Sequence, residues 1–578
     1  MNVGPRLVQQ LFFTILSATL ISTSSAFAQS TNRKIGTQFE ATADPVVSRP
    51  HEQACVVPLF ANYQFAHFSD SSQTFQFTPP ASCSGPWEKV VLEIDFSENG
   101  GVQFDRTASM YVANANIYFG TTPEPLATPT NTWHVERDVT DYSALFGIPQ
   151  QGTIVLANCT TDCPPPFNTL NGVFTVNADL EFYPVKHGHR DDEHDRDRHE
   201  HRTPDQVLPL AQSNGSGGVN LPATLSSPTD QLSTTFTLPT NTVQAYLDVV
   251  SQSQSTDEQW YACFPNDLAN INEVYGCGNT DFRETEVTID GQPAGIAPVS
   301  PWVYTGFLPD QWVPTPGVQT LDFVPYRVNL TPFAGLLSDG KPHTVAISVF
   351  NDDSYFSATA SLLLFLDAES SQVTGKVTKN TLTIPSPVVT ENLQGTSTVT
   401  GTINVTSDRN FTIAGYVNTS RGKVKTSVSQ HQKFSGTQTI DFDVANGTVF
   451  DQKTVVENRV SSATSTSTDH GTIVTRDQFS FPISVDFVFP VSSATFGFTV
   501  ATAQSYRAGS QVWLGGHDVR STSVTNSVTA TDVSPAESSQ SYTSFDSDGI
   551  FYDCNIASTN NILTSVSHGC RKNEHDGH

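Results

Sequence analysis

The sequence is short of positive charge. Lys and Arg number 29 against 57 Asp and Glu, which gives a formal net charge of −28 at pH 7. A chain with this balance cannot neutralise a phosphate backbone, so the composition argues against nucleic acid as a partner. It argues equally against an anionic membrane surface. Only 15% of the residues are charged and 37% are hydrophobic, so the chain can still bury cores.

Long apolar runs are missing after the N-terminal segment. Residues 1–28 combine Arg6, an apolar stretch over 11–21 and the small-x-small triplet Ala26-Phe27-Ala28, which together indicate a secretory signal peptide. The apolar stretch is too short to span a bilayer comfortably. We therefore expect a soluble protein, secreted or periplasmic, with no membrane partner.

Several catalytic motifs are also missing. The sequence has no nucleotide-binding glycine loop, no Gly-x-Ser-x-Gly turn and no His-Glu-x-x-His pair. The chemistry that remains is that of paired carboxylates, for which we expect no cofactor and no metal. The oligomeric state stays unknown at this level.

No stretch shows a sustained helical period, and Gly (36) and Pro (35) are plentiful. This composition favours turn-rich β-structure, so we predict an all-β protein. Runs that are apolar or alternate in polarity predict strands at 75–77, 89–96, 109–118, 152–157 and 173–183, and near the C-terminus at 484–489 and 494–503.

Composition shifts divide the chain. His187–Arg202 is almost entirely His and charge, which we interpret as a solvated linker, with loose metal binding as the alternative. The predicted parts are a signal peptide (1–28), a first β-sandwich (35–185), a linker (186–204), a second β-sandwich (205–372) and a C-terminal β domain (373–578).

The eight cysteines all follow the signal peptide, and an even number in an exported chain indicates disulfides. Spacing suggests four local pairs in chain order, without proving that connectivity. A zinc site at Cys159-x-x-x-Cys163 is the weaker interpretation, because no second close pair completes it. The cysteines are Cys55, Cys83, Cys159, Cys163, Cys263, Cys277, Cys554 and Cys570.

An internal repeat links the two predicted sandwiches. Phe104-Asp105-Arg106-Thr107 resembles Phe282-Arg283-Glu284-Thr285, and each precedes an alternating run. Further along, residues 138–146 align with 329–337, and each is followed by a strand. We predict that the charged ends of the two matching strands meet at one site.

A second group of candidate residues suits sugar recognition. Glu258 lies beside Trp260 and Tyr261, near a predicted disulfide, and aromatic faces stack on sugar rings. Trp302 lies in a Pro-rich loop of the kind that often carries binding residues. Packing in a core is the alternative for Trp260 and Tyr261 and the default interpretation for Trp302.

Taken in order, these stretches resemble the acidic peptide-N-glycanase family, peptide-N4-(N-acetyl-β-glucosaminyl)asparagine amidase A, over about residues 36–367. The matching pieces are Phe39-Glu40-Ala41, Pro79–Cys83, Val90–Glu93, Gln103–Arg106, Trp133–Thr140, Glu258–Tyr261, Phe282–Glu284, Ile289–Gly291, Leu330–Phe333 and Leu364–Asp367.

The resemblance implies hydrolysis of the amide between an N-linked glycan and asparagine, which gives aspartate and a glycosylamine. N-glycosylated proteins or glycopeptides would then be the partners. By looser similarity to a flavobacterial enzyme of the same activity, built of two jelly rolls, Asp105 would be catalytic and Arg106 would orient substrate. The second carboxylate stays open between Glu284, Glu258 and Glu273.

The mechanism needs a base for water, a donor for the leaving nitrogen and a positive group at the carbonyl oxygen. Asp105 can be the base, a Glu of the second sandwich the donor, and Arg106 or Arg283 the positive group. The alternatives are a glycosidase that uses the same carboxylate pair, and a non-catalytic sugar-binding or adhesion protein.

Overall fold

The computed structural model describes residues 40–571, with gaps. The gaps are 125–129, 166, 186–201, 214–217, 270–276, 304–313, 444–447, 469–470, 489–498, 533–534 and 548. The predicted signal peptide and nearly all of the His-rich segment therefore lie outside the described residues. Within them, no helix is both long and apolar enough to cross a membrane.

The first β-sandwich contains eight strands in two antiparallel sheets. One sheet has the order β1-β8-β3-β6 and the other β2-β7-β4-β5, which is the strand order of a jelly roll. The strands are β1 (Cys55–Phe65), β2 (Ser72–Phe77), β3 (Trp87–Glu98), β4 (Thr107–Val112), β5 (Ala115–Thr121), β6 (Asn131–Asp138), β7 (Gln150–Leu156) and β8 (Phe174–Pro184).

Period-two alternation explains this sandwich. Along β8, Phe174, Val176, Ala178 and Leu180 are buried while the residues between them are partly exposed, because successive side chains point to opposite faces. The inward residues of both sheets join one core with members of β3 such as Ile94. The prediction of strands here is confirmed.

One predicted strand is in fact a hairpin. The run 109–118 divides into β4 and β5, because Ala113 and Asn114 take left-handed backbone conformations with φ of 49° and 66°. Positive φ at both central residues is what a tight two-residue hairpin turn requires. The sequence signal for this turn is weak, because Asn114 tolerates positive φ but Ala113 beside it rarely adopts it.

The second β-sandwich repeats the first strand for strand. Its main sheets have the orders β12-β19-β14-β17 and β13-β18-β15-β16, with β9 added beside β19 and β10 paired with β11. The strands are β9 (Gln206–Pro209), β10 (Gln212–Ser213), β11 (Val219–Asn220), β12 (Ala223–Leu225), β13 (Leu232–Thr237), β14 (Thr242–Gln254), β15 (Glu284–Ile289), β16 (Gln292–Pro298), β17 (Tyr326–Asn329), β18 (Pro342–Phe350) and β19 (Tyr355–Leu366).

The repeat extends to individual turns. After β6, the Thr140 amide donates to Asp138 Oδ1 over 3.0 Å; after β17, the Thr331 amide donates to Asn329 Oδ1 over 3.0 Å. Asp and Asn tie down their own backbone two residues on, and here both begin a short helix. Fold class and internal duplication are therefore both visible in the sheets, and the tandem jelly-roll-like architecture is confirmed.

The helices are short and lie in the connections. Residues 68–70, 140–146, 255–257, 260–262, 331–333 and 568–571 form 3₁₀ turns, and α1 (Asn266–Ala269) and α2 (Ala334–Leu337) are single α-helical turns.

The C-terminal region forms one twelve-stranded antiparallel sheet whose longest strands have 22 residues. It packs on the second sandwich, and residues of both share one hydrophobic core. The strands are β20 (Thr374–Asn380), β21 (Val388–Gln394), β22 (Thr398–Thr419), β23 (Gly422–Asp443), β24 (Thr448–Thr468), β25 (Gly471–Ser480), β26 (Ile483–Val488), β27 (Thr499–Leu514), β28 (His517–Thr531), β29 (Glu537–Asp546), β30 (Phe551–Thr559) and β31 (Ile562–Val566).

All eight cysteines form disulfides, and the predicted local pairing is confirmed. The pairs are Cys55–Cys83, Cys159–Cys163, Cys263–Cys277 and Cys554–Cys570. The zinc interpretation of Cys159 and Cys163 is therefore wrong, because their sulfurs are bonded to each other.

The two sandwiches lie side by side. The end of β5 is hydrogen-bonded to the loop before β17, with the Thr121 amide donating to the Thr320 carbonyl over 2.9 Å and the Phe323 amide donating to the Phe119 carbonyl over 2.7 Å. Because these are main-chain bonds, they hold the C-terminal end of β5, and with it the paired N-terminal end of β4, against the second sandwich.

Candidate active site

The loop before β4 is fixed by a buried glutamine. Gln103 is fully buried; its Nε2 donates to the Cys159 carbonyl over 2.8 Å, and its Oε1 accepts from the Phe104 amide over 3.0 Å. The same Oε1 accepts from Arg106 over 2.6 Å. The backbone on both sides of Asp105 is thereby held, so the carboxylate projects from a rigid loop.

The main chain of Arg106 is held by hydrogen bonds, but within the described part of the chain its side chain does not use all of its hydrogen-bond donors. Its main chain pairs with Thr122, since the Arg106 amide donates to Thr122 Oγ1 over 2.8 Å and the Thr122 amide donates to the Arg106 carbonyl over 2.8 Å. Among the described residues, the buried Nε of Arg106 has no hydrogen-bond partner. The residue as a whole keeps partial exposure, and its guanidinium lies beside the Asp105 carboxyl.

The second sandwich reaches this loop through β14. Thr107, the first residue of β4, hydrogen-bonds Gln252 and Gln254 of β14, each over 3.2 Å. Beyond β14 the chain turns through Ser255, where φ is 58°, and Ser253 Oγ donates to the Glu258 carbonyl over 3.1 Å. The structure therefore brings Asp105 and Glu258, from different sandwiches, to one place.

Three carboxyl groups interact there. Burial raises the pKa of Asp105 to about 7, although the neighbouring Arg106 acts in the opposite direction. Burial first, and then the charges of Asp105 and Glu124, hold the pKa of Glu258 well above its ordinary value. We call Asp105, Glu124 and Glu258 the carboxylate cluster; all three side chains are partly exposed, so a substrate can reach them.

Glu124 was not predicted. It follows β5 by three residues, and its pKa is held well above its ordinary value by burial and then by the charge of Asp105, with Arg106 opposing. Its sequence signal was weak, a lone acid between two prolines in Thr121–Pro125. The residue joins the cluster because β5 is the hairpin partner of β4, and that hairpin was read as one strand.

The predicted substrate-binding Arg283 is fully buried in the second sandwich. Its Nε and Nη2 donate to Asp257 Oδ1 over 3.1 and 2.7 Å, and Nη1 donates to the Thr280 carbonyl over 2.7 Å. Asp257 Oδ2 accepts from the amides of Asp353 and Ser354 over 2.7 and 2.6 Å. Since Asp257 immediately precedes Glu258, this ion pair fixes the backbone that carries the Glu258 carboxyl.

Glu284 lies away from the carboxylate cluster. Its side chain is fully buried and forms an ion pair with Arg409 of β22, which also lies 3.4 Å from Glu286. The C-terminal sheet therefore covers the first residue of β15. The structure therefore does not pair Glu284 with Asp105.

The predicted aromatic residues are packed inside. Trp260 and Tyr261 are fully buried, and the Trp260 ring lies 6.2 Å from that of Phe434 on the C-terminal sheet. Trp302 is 2% exposed and its indole nitrogen donates to Ser253 over 2.9 Å, so it supports the turn that leads to Glu258. Glu273 lies outside the described residues.

Two groups in the described part of the chain bring possible metal ligands together, and neither is at the cluster. In the first, Glu93, His134 and Glu136 surround Arg49, which donates to both glutamates. In the second, Asp257 lies near two cysteine sulfurs already joined in a disulfide. Both arrangements are satisfied without an ion, and we derive no step through a metal.

The arrangement suits proton transfer to and from a polar bond. Carboxyl groups with pKa values pushed to different heights can serve as base and acid at the same pH. An adjacent guanidinium can stabilise a developing negative charge. A substrate bond placed between the two sandwiches would be in reach of both kinds of group.

Comparison with known proteins agrees with this chemistry. Residues 45–383 match the family described as peptide N-acetyl-beta-D-glucosaminyl asparaginase amidase A. A protein of Prunus dulcis named peptide-N4-(N-acetyl-beta-glucosaminyl)asparagine amidase A is 27% identical over 430 residues, which cover 72% of this chain and 72% of that protein.

Two solved structures are similar at a lower level. A peptide-N(4)-(N-acetyl-beta-D-glucosaminyl)asparagine amidase is 15% identical with a TM-score of 0.36, covering 54% of this chain and 96% of the other. PNGase F, a glycosylasparaginase from Flavobacterium meningosepticum, is 16% identical with a TM-score of 0.35 over the same shares. The match to the family extends over more than half of the sequence, and the chain is therefore a member of the peptide N-acetyl-beta-D-glucosaminyl asparaginase amidase A family.

Proposed function

We propose that this protein hydrolyses the amide between an N-linked glycan and asparagine, with Asp105 as the base and Glu258 as the proton donor. The observation that supports this most directly is the carboxylate cluster, where acids from both sandwiches interact beside Arg106. Family membership supports the reaction type.

The reaction begins with water. Asp105, ionised, takes a proton from a water molecule whose oxygen attacks the carbonyl carbon of the asparagine side chain. Negative charge develops on the carbonyl oxygen, where the partly exposed Arg106 supplies a positive charge. The tetrahedral intermediate then holds the new C–O bond and the original C–N bond.

The second step breaks the C–N bond. Nitrogen is a poor leaving group as an anion, so it needs a proton as the bond opens. Glu258 is protonated over a wide pH range because its pKa is well above the ordinary value, and it supplies that proton. The products are aspartate in the peptide and a glycan released as its glycosylamine.

Glu124 has a different part in this proposal. It interacts with both Asp105 and Arg106, and its neutral form at moderate pH can donate a hydrogen bond. As a neighbouring acid it also keeps the pKa of Glu258 high. We assign Glu124 to tuning and orienting the pair rather than to proton transfer itself.

The substrates are N-glycosylated proteins or glycopeptides, and we propose that the enzyme is exported. Four disulfides support this location, because such bonds persist in oxidising compartments. The signal-like segment 1–28 would direct the chain there.

The test is mass spectrometry of a defined glycopeptide before and after incubation with the purified protein in heavy-oxygen water. The expected product is the peptide with aspartate in place of the glycosylated asparagine and one heavy oxygen in its carboxylate. A peptide that keeps its first sugar would indicate a glycosidase, and an unchanged glycopeptide would indicate a binding protein. Either result would overturn the proposed reaction.

A further inference from the structure

A pocket with lysine and hydroxyl side chains in its lining lies on the C-terminal sheet, far along the chain from the carboxylate cluster. It has a volume of about 400 Å³, within the range of small-molecule sites. Strands β20, β22, β23 and β24 line it. Its side chains include Tyr416, Lys423, Lys425, Ser427, Ser465 and Ser467.

Strand register places the key residues of the pocket on one face. Tyr416 of β22 is directly opposite Lys376 of β20 on one side and Lys425 of β23 on the other. Lys425 is in turn opposite Ser467 of β24. Directly opposed residues in antiparallel strands point to the same face, so two lysines flank one aromatic ring.

The lysines on this face differ from the other described lysines in having no ion-pair partner. Half of the lysines in the described part of the chain have a carboxylate oxygen within 2.7–3.9 Å, namely Lys89, Lys341, Lys433 and Lys453. The other half have no such partner among the described residues, and all lie on β20 or β23 beside Tyr416 or its neighbour Ala414: Lys376, Lys379, Lys423 and Lys425.

This clustering needs a reason in a chain with twice as many acids as bases. Four ammonium groups on one face with no ion-pair partner among the described residues repel each other, and their arrangement is stabilised when an anion binds. The Lys423 ammonium lies 3.6 Å from the centre of the Tyr416 ring, a cation–π contact that fixes one of them at the pocket.

We propose that the pocket binds an acidic sugar, through a carboxylate or sulfate held by Lys423 and Lys425. The serine hydroxyls around the pocket match the hydroxyls of a sugar ring, because they both donate and accept. An extended polyanion is disfavoured by the net charge of −28 on the whole chain, whereas a single acidic residue needs only this local field.

This inference rests on the proposed function only for its ligand class: an enzyme that removes N-glycans would meet acidic sugars at the ends of those glycans. The pocket would then hold a glycan terminus on the C-terminal sheet while the core reaches the carboxylate cluster. Binding at the pocket itself needs no catalysis, so it can be measured separately.

The experiment measures calorimetric binding of sialyllactose, sulfated lactose and neutral lactose to the full-length protein. None of these sugars carries the asparagine linkage, so failure of the amidase proposal would not affect the result. We expect both acidic sugars to bind and lactose to bind at least about tenfold more weakly, the difference expected for charge-assisted hydrogen bonds. Binding of only one acidic sugar would identify which anion the pocket accepts.

The double variant Lys423→Ala/Lys425→Ala removes two exposed side chains and should lose about tenfold or more in affinity for the acidic sugars. The matched control is Lys433→Ala/Lys453→Ala, which removes the same charge from the same strands or their neighbours but from paired lysines. The proposal is overturned if the protein binds lactose as well as sialyllactose, or if the two double variants bind sialyllactose equally well.

Discussion

The two repeats place the same motif in opposite environments. Phe104-Asp105-Arg106 precedes β4 and Phe282-Arg283 precedes β15, which are equivalent strands of the two jelly rolls. In each, arginine Nη2 lies near a disulfide sulfur, 3.9 Å from Cys159 and 3.4 Å from Cys263. Yet Arg106 keeps partial exposure, whereas Arg283 is fully buried.

What covers each copy explains the difference. The ring of Phe434, from β23 of the C-terminal sheet, lies 5.0 Å from that of Phe282, and Gln438 of the same strand donates to the Cys263 carbonyl over 2.7 Å. The first copy faces β14 of the neighbouring sandwich instead. Of the two copies of the duplicated motif, the first therefore lies in a partly open site, and the second supports the backbone around Asp257.

The largest expected effect comes from a substitution in the accessible copy of the motif, Phe104-Asp105-Arg106. Replacing Asp105 with Asn should lower turnover of a glycopeptide by about 10²–10⁴-fold, because the base for water is lost. Circular dichroism should show an unchanged fold. Asp486→Asn, which removes a carboxylate 3.9 Å from Lys453 on the C-terminal sheet, is the control and should retain full turnover. Retained turnover in the Asp105 variant would remove the assignment.

Replacing Arg283 should mainly lower stability, whereas replacing Arg106 should mainly lower kcat/KM. Arg283→Ala leaves the Asp257 carboxylate buried without its partner, which should cost about 3–5 kcal/mol of unfolding free energy. Arg106→Ala should cost little stability and lower kcat/KM by about 10²-fold, since it removes a donor at the developing oxyanion. Denaturant unfolding and steady-state kinetics on both variants test this; matching profiles for the two would contradict the comparison.

The pH dependence should also separate the copies. Burial raises the pKa of both Asp105 and Asp281 to about 7, but only Asp105 faces the carboxylate cluster. With Asp105 as the base, kcat/KM should rise with pH until about 7. It should fall again where Glu258 loses its proton. Asp281→Asn should leave that profile unchanged.

The contribution of Asp281 to the unfolding free energy should change with pH in the opposite direction to kcat/KM. A carboxyl group whose pKa is raised on folding binds more protons in the native state between its unfolded value, about 4, and its folded value. The contribution of Asp281 to the stability of the parent should therefore fall as pH rises from about 4 to 7 and stay level above. Asp281→Asn should reduce this loss, which thermal unfolding at the two pH values would measure. An equal loss in parent and variant would speak against a raised pKa.

The last expected effects concern the disulfides beside the two arginines. The Cys263–Cys277 loop has a sequence separation of 14 and the Cys159–Cys163 loop one of 4, so the chain-entropy model gives about 3 and about 2 kcal/mol for their removal. Paired Cys→Ser variants should show that order in unfolding free energy. If Cys159→Ser/Cys163→Ser loses more transition-state stabilisation, measured from kcat/KM, than unfolding free energy, the result would support the assignment of Arg106 to the site.

Much of the scaffold could be predicted because it depends on local patterns. Alternation over 173–183 gives a strand whose inward residues are buried, and the Asp138 and Asn329 turns recur because each residue hydrogen-bonds its own backbone. The cysteines pair with near neighbours in the chain, as their spacing suggests. The exact domain limits stay a prediction, as do the signal peptide and the His-rich linker.

The site was predicted only in part. Asp105 and Glu258 were named, whereas Glu124 was missed because a single acid in a Pro-containing loop has no pattern. The burial of Trp260, Tyr261, Arg283 and Glu284 could not be seen either. Aromatic and charged residues look the same in a sequence whether solvent or another sheet covers them.

The sequence by itself determined the β-fold and its duplication, because period-two patterning and turn residues act over a few residues, and the cysteine spacing suggested the disulfide pairs. Only the tertiary structure decided which copy of the motif stays accessible. That choice depends on the contact of the C-terminal sheet with the second sandwich, through residues more than 100 positions apart such as Glu284 and Arg409. Such contacts arise from the fit of whole surfaces, which no local pattern encodes.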